Sequence, residues 1–298
     1  MPPGARSSPG CDSPAKAATS HPRAARDPES PNSVARVAAV GFTGGSIPEV
    51  RVNRLLLNNI DVVGAGWGAL VRHAAEHYGA HALGVTLSAR QVAWAKRAIG
   101  EAGLGDRAEV RHLDYRDVEE TGFDAISSVG TMEHIGSAEL GGHFSALAGK
   151  LRPEGRMLNH TITRPSNRER NRPGPFIDRY IFPDGELQGP GTVVGAMHDN
   201  GFELRHSENL REHYATTLRE WGRNLDRNWD RAVAEVGERR ARAWRLYMTL
   251  SRVAFETNRV QIHQFLGVRP GRDGRSGMPL RPGWERRDEA REVAGAHA

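Results

Sequence analysis

The stretch from Ile60 to Gln91, IDVVGAGWGALVRHAAEHYGAHALGVTLSARQ, restricts this chain more than any other part of it. Ile60–Val63 reads as a short apolar strand and Gly64–Gly68 (GAGWG) as a tight glycine turn. Ala69–Tyr78 follows as an amphipathic helix and Ala82–Val85 as a second strand. Two strands joined through a helix pair in parallel, so their carboxyl ends share one edge of a sheet. Glycines in the first turn let the backbone approach a nucleotide-like ligand, because a Cβ would otherwise fill that space. The G-x-G spacing also occurs in plain structural turns. The residues that follow must therefore decide the ligand.

The alternation continues along the chain. A helix over Ala89–Ala102 ends at Gly103, and Ala108–His112 and Phe123–Ser128 are the third and fourth strands. A helix over Ala138–Leu151 stops at Pro153-Glu154-Gly155, and Arg156–Ile162 is the fifth strand. Thr192–Asn200 is helical, Phe202–Asn209 extended and Val260–Val268 a last strand. Before it lies Tyr214–Glu256, a long helical stretch of two segments broken near Gly237. This pattern predicts an α/β fold: a mostly parallel, twisted sheet with helices on both faces and a helical insertion before the last strand.

Composition bounds the ends and the partners. Residues 1–36 are rich in Pro, Ser, Ala and Arg without periodicity and read as a disordered tail, as do residues 271–298. Residues 37–59 form a poorly defined lead-in, which leaves one domain over 60–270. The formal net charge is +5, but lysine occurs only at Lys16, Lys96 and Lys150, so arginine carries the rest. That excess suits an anionic lipid surface, and reads equally well as a coding preference. Outside the tails no basic stripe is interleaved with aromatics, so no nucleic-acid partner is expected. The single cysteine, Cys11, excludes a disulfide within the chain and fits a reducing cytoplasm. No apolar run reaches the roughly 18–20 residues of a spanning helix, and the start lacks the apolar core of a signal peptide. A cytoplasmic protein, peripheral to the membrane at most, is the expectation. His73, His77 and His81 recur every four residues, but no further ligand accompanies them; a solvated helix face explains them, and no metal is expected.

The strand ends carry polar groups in register: Gly64, Ala65 and Gly66 after the first strand, then Thr86, Leu87, Ser88 and Gln91 after the second. Asp114 and Tyr115 follow the third, GTMEH at 130–134 the fourth, and His160 and Ile162 lie in the fifth. In an open α/β sheet these ends converge on one crevice. Taken singly, His160 also reads as a core histidine, Glu133 as a helix cap and Tyr214 as a packing residue.

Several longer blocks then match together: GAGWG at 64–68, GVTLS at 84–88 with Gln91, DYRD at 114–117 and SVGTMEHIG at 128–136. HTI at 160–162, FIDRYIFPDGEL at 176–187 and ENLREHYATTLREW at 208–221 continue the set. With these residues the chain from about Ile60 to Pro270 resembles the catalytic part of the cyclopropane fatty acid synthases and mycolic acid methyltransferases. These are a branch of the class I S-adenosylmethionine-dependent methyltransferases, whose core is Rossmann-like.

The resemblance implies methylene transfer from S-adenosyl-L-methionine to the double bond of an unsaturated fatty acyl chain of a phospholipid, through a carbocation, to give a cyclopropane. It implies cofactor binding by Gly64, Ala65, Gly66, Thr86, Leu87, Ser88, Gln91, Asp114 and Tyr115. It also implies a bound bicarbonate as base, with Glu133, His160, Tyr214 and the backbone of Ile162 as its ligands. Phe176, Tyr180 and Phe182 become a cover over the acyl pocket, within a lipid-binding region of about 164–256. A methyl- or methylene-branching transferase, and a relative that retains lipid or cofactor binding without turnover, stay open, as does a homodimer. Three departures from the family accompany the match. The family places an acid two residues before the first glycine, where this chain has Val62; Asp61 stands one residue early, and strand alternation points it to the opposite face. No Tyr-Ser-Cys segment precedes the core, and Ser251 stands where many members carry cysteine.

Overall fold

The computed structural model describes residues 59–168, 174–183 and 185–280. The expected tail over 1–36, the lead-in up to residue 58 and the end of the chain from 281 lie outside the described residues. The strands are β1 (Asn59–Val63), β2 (His81–Thr86), β3 (Ala108–His112), β4 (Phe123–Val129), β5 (Leu151–Thr163), β6 (Glu203–Asn209) and β7 (Gln261–Val268). They form one sheet in the order β3-β2-β1-β4-β5-β7-β6. β1 to β5 pair in parallel, and β7 runs antiparallel to both of its neighbours. The alternating pattern read from the sequence is therefore this doubly wound sheet.

The helices are α1 (Ala69–Tyr78), α2 (Ala89–Glu101), α3 (Leu140–Lys150), α4 (Pro175–Tyr180), α5 (Pro190–Asp199), α6 (Arg211–Arg227), α7 (Trp229–Val236) and α8 (Glu238–Glu256). Period-two alternation along the central strands sends residues to two separate cores. Ile60 and Val62 of β1 pack with Val71, Ala74 and Ala75 of α1 and Val92, Ala95 and Ile99 of α2. Val63, Leu83, Val85 and Ile126 pack on the other face, with Phe144 and Leu147 of α3 and Val193 and Met197 of α5.

Close packing on the first face depends on Gly84. A Cβ there would lie 2.6 Å from Val71 Cγ2 and 2.7 Å from the Ala65 Cβ, so α1 and the glycine turn can sit down on β2 only without one. Gly84→Ala is expected to cost about 1–3 kcal/mol through overpacking. Urea unfolding checks this as a lowered midpoint at unchanged slope.

The structure differs from the sequence reading at several boundaries. The stretch read as two helical segments is three helices, broken at Asn228 as well as at Gly237. The Asn228 side chain donates to the Asn224 carbonyl (2.9 Å), a local bond that competes with the helical ladder. β5 begins directly after α3, with Pro153-Glu154-Gly155 inside it rather than before it. A register shift opposite Phe123–Ala125 absorbs them as an irregularity in the pairing. Residues 271–280, read as the start of a tail, turn back through Gly271 N–H to Arg275 O (2.7 Å). Arg156 Nη2 donates to Gly277 O (3.2 Å).

The insertion α6–α8 lies against the β5–β7 side of the sheet. Leu225, Ala232, Trp244 and Met248 form its own small core. A second cluster joins Leu218 and Phe255 to Ile262 of β7, with Ile162 and Tyr214 packed against it.

Candidate active site

At the carboxyl edge, Gly64, Gly66 and Gly68 all adopt positive φ. At Gly64 this has a second cause: a Cβ would lie 2.3 Å from Thr131 Oγ1, so the glycine turn and the segment after β4 touch. The Thr131 hydroxyl donates to Val63 O (3.3 Å) and fixes that contact. Beside it, Thr86 Oγ1 bonds Gln91 Oε1 (2.6 Å), and Ser88 Oγ accepts from Gln91 N–H (3.4 Å), capping α2. Leu87 is exposed. Thr86, Ser88 and Gln91 are thus one connected group at the end of β2.

Asp114 differs in its partners from the sequence reading. Its carboxylate accepts from Arg116 Nε (2.9 Å), Nη2 (2.7 Å) and N–H (3.0 Å), so it serves first as the cap of the Tyr115–Asp117 turn. Tyr115 beside it meets His143 edge to face, with ring centroids 5.0 Å apart.

Glu133 sits in the 3-10 turn Met132–His134 and is buried. Its Oε1 accepts from Ile162 N–H at 2.7 Å, and its Oε2 is buried without a hydrogen-bond partner among the described residues. Burial raises its pKa, against the lowering effect of the Ile162 amide. Ile162 N–H, read as a separate ligand for an anion, is therefore spent on Glu133: a buried strand amide takes the nearest strong acceptor. Nor does Glu133 cap a following helix; it ties the β4 turn to β5. Burial likewise lowers the pKa of His160 to about 4, which leaves its ring neutral at pH 7, and its Nδ1 is buried without a partner.

Tyr214, on α6, packs against Phe255 (4.9 Å) and Trp221 (6.1 Å). Burial raises its phenol pKa, and Tyr247 and Glu133 push the same way. Tyr247, on α8, is the residue that sequence reasoning missed. Burial pushes its phenol up to about 12, the Ser251 hydroxyl opposes this with a hydrogen bond, and Glu133 adds to the rise. Both phenols thus lie within electrostatic reach of one carboxylate, that of Glu133. Tyr247 lies one helical turn before Ser251 on α8, but no motif in the sequence singles it out.

Of the three expected cover aromatics, only Phe182 joins this group, 5.5 Å from the Tyr247 ring and 5.7 Å from His134. Phe176 and Tyr180 pair with each other (5.8 Å), Tyr180 being exposed. The segment after them returns to the site, where Glu186 N–H donates to Glu133 O (2.9 Å). Among the described residues no group of three or more His, Cys, Asp or Glu is placed to hold a metal.

A family model described as mycolic acid cyclopropane synthetase matches residues 55–265. This chain belongs to that family. A probable fatty acid methyltransferase of Mycobacterium tuberculosis is 51% identical over 223 residues, covering 75% of this chain and 52% of that protein. One of Pseudomonas putida is 40% identical over 233 residues, covering 76% and 57%. The chain spans little more than half the length of these relatives. A cyclopropane synthase of M. tuberculosis superposes with a TM-score of 0.67 at 27% identity, over 72% of this chain and 80% of that one. A mycolic acid cyclopropane synthase complexed with SAH and CTAB gives 0.66 at 27%, over 79% and 83%.

Membership in this methyltransferase family makes S-adenosylmethionine the cofactor to test against the site, and the residues fit it. The positive-φ glycines leave the cradle open to a close ligand, and the Thr86–Gln91 group stands one strand away, where doubly wound folds bind a ribose. One element does not match the cyclopropane synthetase pattern. β1 keeps an uninterrupted register with β2 and β4, so no bulge turns Asp61 toward the cradle. Asp61 is fully buried, and Val62 packs under α1 and α2.

Proposed function

We propose that this chain transfers the sulfonium methyl carbon of S-adenosyl-L-methionine to the double bond of an unsaturated fatty acyl chain, giving a cyclopropane or a methyl branch. The observation that carries the reading is Glu133: a buried carboxylate with one free oxygen, held by Ile162 N–H beside two desolvated phenols. When bound, the cofactor supplies an electrophilic methyl group. The alkene forms the new C–C bond as the C–S bond breaks, which leaves a carbocation and a neutral thioether. The chain's residues must then exclude water, tolerate positive charge and accept one proton.

Glu133 suits the last two tasks, since its free oxygen is a proton acceptor of raised basicity. Tyr214, Tyr247 and Phe182 offer ring faces that stabilise a cation without adding to it. Glu133 Oε2, His160 Nδ1 and the Tyr214 phenol are also the groups that would hold a bicarbonate ion, which would supply a further proton acceptor.

Phospholipid acyl chains at the cytoplasmic face of the membrane are the proposed substrate. Leu246, Leu250 and Val253 leave an exposed apolar stripe on α8, and Arg242, one turn before Leu246, is exposed at its end. No helix among the described residues is long and apolar enough to cross a membrane.

The test is incubation of the purified chain with methyl-deuterated S-adenosylmethionine and vesicles containing oleoyl phospholipid, followed by mass spectrometry of the released acyl chains. Label in an acyl chain that carries one additional carbon is expected. Cofactor binding without any labelled acyl product would favour the non-catalytic alternative, and no cofactor binding would sink the reading.

A further inference from the structure

Arg164, the first residue after β5, is 7% exposed, and its Nε and Nη1 are buried without an acceptor among the described residues. Nothing assigned above uses it. A guanidinium keeps its charge, so its burial without an anion is unfavourable. Its position is fixed on both sides. Arg164 N–H donates to Gln188 O (2.9 Å), and Thr163 forms a parallel bridge with Gln188. Two residues before Arg164, Ile162 N–H holds the Glu133 carboxylate, and two residues before Gln188, Glu186 N–H holds the Glu133 carbonyl. Arg164 thus stands where the two strands of backbone that grip Glu133 come together.

We infer that Arg164 is the receptor for an oxyanion carried by the acyl substrate, a carboxylate or a phosphate, which completes the ion pair only in the complex. This rests on the reading of methyl transfer to an acyl chain given above and adds to it a charge at the substrate's head. A planar guanidinium binds either group through paired N–H donors, and such charge-assisted bonds are among the stronger ones.

The experiment measures binding of three probes below their micellar concentrations: oleate, 1-oleoyl lysophosphatidate and neutral 1-oleoylglycerol. The native protein should bind at least one charged probe about tenfold tighter than the neutral one, and Arg164→Leu should bring the ratio near one. Which charged probe is preferred distinguishes carboxylate from phosphate. Arg164→Lys should keep part of the preference. Thermal unfolding supplies the second readout: without ligand, Arg164→Leu should melt at the same or a higher temperature, because an unpaired buried charge has been removed. A fall in melting temperature with an unchanged probe ratio would mean that a carboxylate of the chain itself pairs Arg164, and would overturn the inference. If none of the three probes binds, the reading of methyl transfer to an acyl chain fails first. If all three bind equally in the native protein, only the Arg164 subsite fails.

Discussion

Asp61→Val stabilises the fold by about 4 kcal/mol at pH 8, and the gain shrinks as the pH falls. Asp61 lies in the middle of the sheet, fully buried, and among the described residues no group stands at full hydrogen-bond geometry to either carboxylate oxygen. Burial raises its pKa to about 7 from 3.8, against the attraction of Lys150. Lys150 itself is buried, its ammonium donating to the Val118 carbonyl. Below the unfolded pKa both states are protonated, and the acid carries no charge penalty. Between the two values the unfolded chain has released a proton that the folded chain still holds. Stability therefore falls as the pH rises through this window, and the penalty is complete above pH 7. Valine suits the site, being β-branched and flanked in register by Leu83 and Ile126. Urea unfolding of both proteins at pH 5 and pH 8 measures the difference. An equal gain at both pH values would show that Asp61 is already compensated in the folded state.

The same residue shows how far the sequence could be read. Alternation along IDVV placed Asp61 and Val62 on opposite faces, and the two cores of the sheet confirm it, because the period of a strand is a local property. The glycine turn and the Thr86–Ser88–Gln91 group were legible for the same reason: their partners lie within a few residues. Contacts that close over long separations were not. Tyr247 lies more than one hundred positions from Glu133 in the chain, and no periodicity in α8 marks the helix face that meets the acid. At Asp114 the structure adds a local partner that its position after β3 did not announce: Arg116, only two residues away, holds its carboxylate. Arg164 carried no sequence signal, since only burial distinguishes it from the arginines on the surface.

Glu133→Gln lowers acyl methyl transfer by about 100- to 10,000-fold, the range associated with loss of a positioned proton acceptor, while the fold keeps its stability or gains slightly. Glutamine is nearly isosteric, and its amide oxygen still accepts from Ile162 N–H, so the tie between the β4 turn and β5 survives. What disappears is a buried charge whose pKa burial already raises. The folded state binds that proton more tightly than the unfolded chain, so the carboxylate weakens the fold at high pH, and its removal does not. Catalysis has the opposite dependence: only the ionised form accepts a proton, and the native activity should rise with pH through this raised titration. In Glu133→Gln the residual activity should lose that limb. Cofactor affinity should stay unchanged, because the glycine cradle meets the segment after β4 at Thr131 rather than at Glu133. Steady-state rates across pH, with cofactor binding measured separately, separate a lost base from a damaged site. A variant with native turnover and a native pH profile would remove Glu133 from the chemistry. The proton would then leave to another acceptor, of which His160, neutral and with its Nδ1 without a partner among the described residues, is the next to test.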